Sequence, residues 1–144
     1  MTTTSAVITA LGFCWLGMVL AISFLEAPLK FRAPGLTLQV GLGIGRLVFR
    51  ALNTIEIVFA ATILIAILFD PPPVGAVVAL MVAMATLIVQ LVVVRPRLTR
   101  RSDAVLAGRD VPRSHSHYAY VALEVLKVIA LLIGGIAVLA HGVS

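Results

Sequence analysis

Glu56, Glu124 and Lys127 each stand inside a run of apolar residues long enough to cross a membrane. An ionisable group at that depth is expensive, so an opposite charge or a polar cavity must face it. Carboxylates so placed can act as general acid and base, relay protons or bind a cation. Helical spacing sorts the polar residues into two stripes. Arg46, Arg50, Asn53 and Glu56 follow one another at steps of four, three and three, and His117, Tyr120, Glu124 and Lys127 at three, four and three. Gln90 and Glu26 sit at corresponding depths on two further apolar runs. Glu56, Glu124 and His117 are the candidate catalytic groups; Glu26, Arg50, Asn53, Gln90, Tyr120 and Lys127 are the candidate ligand-binding groups.

A structural reading stands beside the chemical one. Glu124 can pair with Arg50 or Lys127, and Glu56 with Arg46 or another base. Asn53 and Gln90 can serve as interhelical hydrogen bonds worth about 0.6–2 kcal/mol each. Lys127 lies too deep to reach water by extending its stem, so it needs a carboxylate, and Glu124 and Glu56 are at hand. Glu26, Glu56, Glu124 and His117 would be a ligand set for a metal, but the Glu-x-x-His pair of di-iron bundles is missing. His115, His117 and His141 supply no facing pair for haem. No metal site is expected, and the residues name no cofactor.

The elements that must position these groups follow from hydropathy. The chain is 61% hydrophobic and 12% charged, with mean hydropathy +1.15, whereas soluble chains are about 25% charged. A span of roughly 30 Å of hydrocarbon takes about 20 residues. Four segments qualify: Ala6–Leu25, Leu47–Phe69, Val74–Val94 and Tyr118–Ala140. The expected fold is therefore all-α, a single-domain integral membrane four-helix bundle over residues 1–144. Pro28 is expected to end helix one, Asp70 and three prolines helix two, and Arg95-Pro96-Arg97 helix three. Ser102-Asp103 is expected to cap a short helix through Leu106 that ends at Gly108.

Charge gives the orientation. The connections 27–46 and 95–117 carry nine of the eleven Lys and Arg residues, Arg50 follows just after the first, and the connection around Asp70 carries none. Both basic connections should face the cytoplasm and both termini the other side of the cell (plasma or inner) membrane. The sequence pI near 10.4 thus reads as a basic surface against anionic headgroups; there is no soluble basic domain for nucleic acid. The n-region lacks Lys and Arg, so the first run reads as a retained helix and not as a signal peptide. The lone Cys14 excludes an intramolecular disulfide. Leu36 to Ile44 alternates apolar and polar residues, and a segment lying at the interface is expected there. The Gly41-x-Gly43-x-Gly45 run reads as close packing or a hinge, and Gly12, Gly17, Gly134 and Gly135 as sites of close helix approach. Trp15 reads as core or lipid-facing. The interval from Pro28 to Glu56 recurs from Pro96 to Glu124; few other identities hold at this offset, and both a duplicated hairpin and coincidence account for it.

Phe24-Leu25-Glu26-Ala27-Pro28-Leu29-Lys30-Phe31 resembles the apolar-Ala-Pro-x-x-Phe ending of helix one in small bacterial four-helix membrane proteins of the DUF4149 type. Asn53 to Arg95 is similar to the DoxX-like group, where a Glu near the start of a helix precedes a long hydrophobic hairpin. The resemblance implies a small bacterial inner-membrane protein, often tied to redox or stress functions, with no catalytic residues to carry over.

Three functions fit. The first is binding of a small ligand or protons in a cytoplasm-facing intramembrane polar pocket. The second is an enzyme acting on a lipid-soluble molecule such as a quinone, isoprenoid or sterol-like compound. The third is an accessory subunit of a membrane complex. The bilayer is the expected partner, with a lipophilic small molecule as the second. Four helices are few for a transport path, so a path would call for a homodimer.

Overall fold

The computed structural model describes residues 1–109 and 115–144. Four long helices, α1 (Thr3–Lys30), α2 (Leu38–Phe69), α3 (Val74–Leu106) and α4 (His115–Val143), form an all-α bundle without a strand among the described residues. Each is long and apolar enough to cross a membrane. Arg113 and Ser114 of the basic third connection lie outside the described residues.

The helices run past the boundaries read from hydropathy. Helix one continues through Pro28 to Lys30, and helix three through Pro96 to Leu106. The reason is the same at both sites. A proline inside an α-helix lacks its own N–H and clashes with the carbonyl four residues back. Here each proline is preceded by a π-helical stretch, Leu20–Glu26 in α1 and Gln90–Val94 in α3. The Ala27 N–H reaches back to the Ile22 carbonyl, and the Arg95 N–H to the Gln90 carbonyl. The widened turn changes the hydrogen-bond register just before the ring arrives, so the helix bulges instead of ending.

The expected interfacial segment is likewise the first turns of α2, capped at Leu38 by the Thr37 hydroxyl, which accepts from the Val40 N–H. Only a short turn separates α1 from α2. Gly41 and Gly45 make that turn compact: Phe31 packs over Gly41, and the Lys30 Nζ would lie 3.1 Å from a Cβ at Gly45. Ser102 and Asp103 lie inside α3 and cap nothing, but the helix does stop before Gly108, which takes φ +89°.

Helix α4 packs between α1 and α3, and α1 also packs on α2. Helix α2 meets α3 chiefly through the Arg95–Leu106 stretch, which leaves the two parted further into the span. The core is built from Ile8, Trp15 and Val19 of α1, Ile63 of α2, Leu80 of α3 and Leu131 of α4, among others. Gly134 and Gly135 allow the close approach: a Cβ would stand 3.0 Å from Leu80 at the first and 2.9 Å from Phe13 at the second. A Cβ at Gly12 or Gly17 would meet nothing within 4 Å among the described residues, so the close approach does not depend on their lacking one. The outer surface is apolar, with Leu47, Leu68, Phe69, Val74 and Val92 exposed, as a bilayer requires.

Candidate functional site

The deepest polar residues meet at one point. Lys127 of α4 is fully buried, as is Glu56 of α2. The ammonium has three donors, and each has an acceptor: Glu56 Oε2 at 2.5 Å, Glu124 Oε1 at 2.6 Å and Gln90 Oε1 at 2.8 Å. The surrounding shell fixes these acceptors. Trp15 Nε1 donates to Glu56 Oε2 at 2.7 Å. Gln90 Nε2 donates to Glu124 Oε1 at 3.1 Å, and the Ser23 hydroxyl donates to Glu124 Oε2 at 2.5 Å. All four helices contribute, so the cluster can form only in the closed bundle.

The local backbone explains why these side chains reach the centre. Ser23 and Gln90 both sit in the π-helical stretches, whose extra residue per turn rotates them relative to a regular helix. Glu124 and Lys127 are one turn apart on α4 and share a face. Removing two carboxylates and an ammonium from water costs several kcal/mol per ion, offset only when the remaining lone pairs and protons are bonded. That condition is met here apart from Glu56 Oε1, a buried atom that accepts no hydrogen bond among the described residues. The cluster holds two carboxyl groups against one ammonium.

A cavity of about 260 Å³ opens above the cluster at the basic end of the bundle. Glu124 forms its floor, while Tyr120 and His117 continue along the same α4 stripe. Phe24, Phe31 and Phe49 supply apolar wall, and Lys30, Arg46 and Arg95 line it with positive charge. Arg95 is held over two rings, 5.1 Å from the Phe49 centroid and 4.9 Å from that of Tyr120, and donates to the Tyr120 hydroxyl at 3.1 Å. Its Nε is buried without a hydrogen-bond partner among the described residues. The site therefore combines fixed cations, aromatic walls and one carboxylate on its floor.

Of the groups singled out by sequence, the structure brings Glu56, Gln90, Glu124 and Lys127 together and sets His117 and Tyr120 along the cavity above them. Glu26 is not part of this centre; it faces Lys30 one turn along α1, with Nζ at 3.8 Å. Arg50 and Asn53 line a separate space between α2 and α3, because the turn of α2 that points Glu56 inward points them sideways. Arg46 pairs with Asp103 at 2.7 Å, not with Glu56. Sequence reasoning passed over Trp15, Ser23, Phe49 and Arg95. For Trp15 a signal existed, since a buried indole N–H must find an acceptor. Arg95 was concealed by the reading of Arg95-Pro96-Arg97 as loop. Among the described residues no three of His, Cys, Asp and Glu are grouped to hold a metal ion.

Comparison of the chain with protein-family models, with curated proteins and with solved structures finds no match.

Proposed function

We propose that the chain is a multi-pass protein of the cell membrane, its basic end in the cytoplasm, that binds a small amphipathic anion in the cavity above Glu124 and exchanges a proton with it through the buried cluster. The orientation rests on the Lys and Arg residues gathered at that end. The observation that carries the reading is the double position of Glu124, which is at once the cavity floor and a partner of Lys127. The size fits a small ligand, as drug-sized pockets run to about 300–1,000 Å³. Cationic and aromatic lining selects a negative head with a short apolar body.

Octanoate and octylamine, matched in length and opposite in charge, test this in detergent-purified protein. Octanoate is expected to raise the melting temperature and octylamine to leave it unchanged. Arg95→Gln should weaken octanoate binding by about tenfold or more, the worth of a charge-assisted hydrogen bond. Glu124→Gln should abolish the proton exchange that accompanies binding, read by calorimetry as a heat that varies with the buffer. Equal binding of the two probes would overturn the proposal.

One observation favours a second reading, an enzyme acting on a lipid-soluble molecule. His117, Tyr120 and Glu124, all able to transfer protons, line the cavity from a single helix. That reading calls for a stoichiometric apolar molecule in solvent extracts of the purified protein, detected by mass spectrometry.

A further inference from the structure

A second cavity, of about 310 Å³, lies between α2 and α3, where the two helices part below their contact at the basic end. Three arginines surround it: Arg46 and Arg50 from α2 and Arg95 from α3. Their charges are not balanced. Arg46 pairs with Asp103, Arg95 stacks on Phe49 and Tyr120, and Arg50 makes no ion pair among the described residues. Asn53 is only 8% exposed, and its amide, which lines this cavity, bonds to nothing among the described residues. The Asn53 amide and the exposed Arg50 guanidinium thus turn toward one space with donors that no described residue accepts from.

The cavity is graded along the helix axes. Arg46, Arg50 and Thr99 lie toward the basic end, Asn53 below them, and Ile57 and Leu91 deepest. Ile57 is 50% exposed and the adjacent Val58 56%, so the deep end runs onto the apolar outer face of the bundle. The apolar run of α2 begins at Leu47, which sets Arg46 and Arg50 at the level of lipid headgroups and Ile57 at the level of acyl chains. A soluble anion would have no use for that apolar end.

We infer that this groove between α2 and α3 binds an anionic phospholipid, its phosphate held by Arg50 and Asn53 beside Arg46 and its chains descending past Ile57 and Leu91. Guanidinium groups suit phosphate because their paired N–H donors match two of its oxygens. Basic recesses between membrane helices on the cytoplasmic side bind such headgroups. Arg46 and Arg95 line both cavities, whereas Arg50 and Asn53 line this one and not the first, so variants at these two residues test the groove by itself.

The test uses full-length protein, delipidated in a neutral detergent, with phosphatidylglycerol, phosphatidylcholine and inorganic phosphate as probes and retained adducts counted by native mass spectrometry. Phosphatidylglycerol is expected to bind at least about tenfold more tightly than phosphatidylcholine, and Arg50→Gln to remove about tenfold of that affinity. Asn53→Leu, which keeps every charge, is expected to weaken phosphatidylglycerol binding severalfold. Glu124→Gln should leave it unchanged. Trp15 emission verifies that each variant is folded. Equal affinity for the two lipids, or undiminished phosphatidylglycerol binding in both Arg50→Gln and Asn53→Leu, would overturn the inference. Displacement of phosphatidylglycerol by equimolar inorganic phosphate would overturn the lipid as occupant.

Discussion

The α1–α2 hairpin and the α3–α4 hairpin carry the same devices in the same order. Each has a first helix widened into a π-helical stretch just before a proline, and a second helix with a buried glutamate. Pro28 relates to Glu56 as Pro96 relates to Glu124. The halves differ in what surrounds the glutamates. Lys127 and Gln90 belong to the second half, and the corresponding positions of the first are Phe59 and Ile22. One ammonium, from one hairpin, therefore serves both carboxylates. The shared parts shape a socket, and the unshared parts supply the cation and the amide that fill it. The first half contributes instead the indole of Trp15, which bonds Glu56 from the side away from the cavity, while Glu124 faces the cavity itself.

The largest test of this division is Lys127→Met. Removing one partner of a buried ion pair leaves its counter-charge stranded and costs about 3–5 kcal/mol, and here two carboxylates lose the same partner. Unfolding in detergent is expected to show at least that loss. Adding Glu56→Gln and Glu124→Gln to Lys127→Met, which makes the centre uncharged, should recover most of it. If the single variant is no less stable than the triple one, the ammonium does not hold the two hairpins together and the comparison fails.

The two glutamates come next. Glu56→Gln and Glu124→Gln each replace a charged acceptor of Lys127 with a neutral one, and each should cost about 1–3 kcal/mol. Their other readouts should separate. Glu56→Gln changes the acceptor of the indole N–H of the chain's single tryptophan, so it should shift Trp15 emission. Glu124→Gln should leave that emission in place and abolish proton exchange in the cavity. Matching spectra and matching ligand responses from the two variants would show the halves to be equivalent after all.

These contrasts were only partly legible in the sequence. The four spanning helices were, because lipid demands apolar runs of a definite length and almost nothing else in a chain looks like them. The pairing of Lys127 with both glutamates was also within reach, since so deep an ammonium had few possible partners. What was hidden is the course of α1 and α3 beyond Pro28 and Pro96. Proline is ordinarily read as a helix end, and no residue type signals a π-helical stretch. That error removed Arg95 from the site, because it turned a cavity wall into a loop. It also made the basic connection seem longer and more polar than the helix it largely is. Arg50 and Asn53 were misplaced for another reason. Helical steps of three and four put them on the stripe of Glu56, but such a stripe is broad enough for its upper part to face a different neighbour from its lower part.

The smallest expected effects come from the prolines, and they bear directly on the socket. An interior proline usually costs about 3 kcal/mol relative to alanine, yet Pro28 and Pro96 sit where the widened turn has already removed the acceptor they would fail to reach. Relief of the ring alone should consequently change stability by no more than about 1 kcal/mol in Pro28→Ala and Pro96→Ala, and any further loss measures the bonds that the centre gives up. The restored N–H lets the stretch before it relax to a regular helix, and the side chains in that stretch then turn away from the centre. Pro96→Ala would move Gln90, which bonds both Lys127 and Glu124. Pro28→Ala would move Ser23, which bonds Glu124 alone. Octanoate binding and its linked proton exchange should thus weaken more in Pro96→Ala than in Pro28→Ala. Large stability losses without a change in binding would mean that the prolines brace the helices and leave the site geometry to other residues.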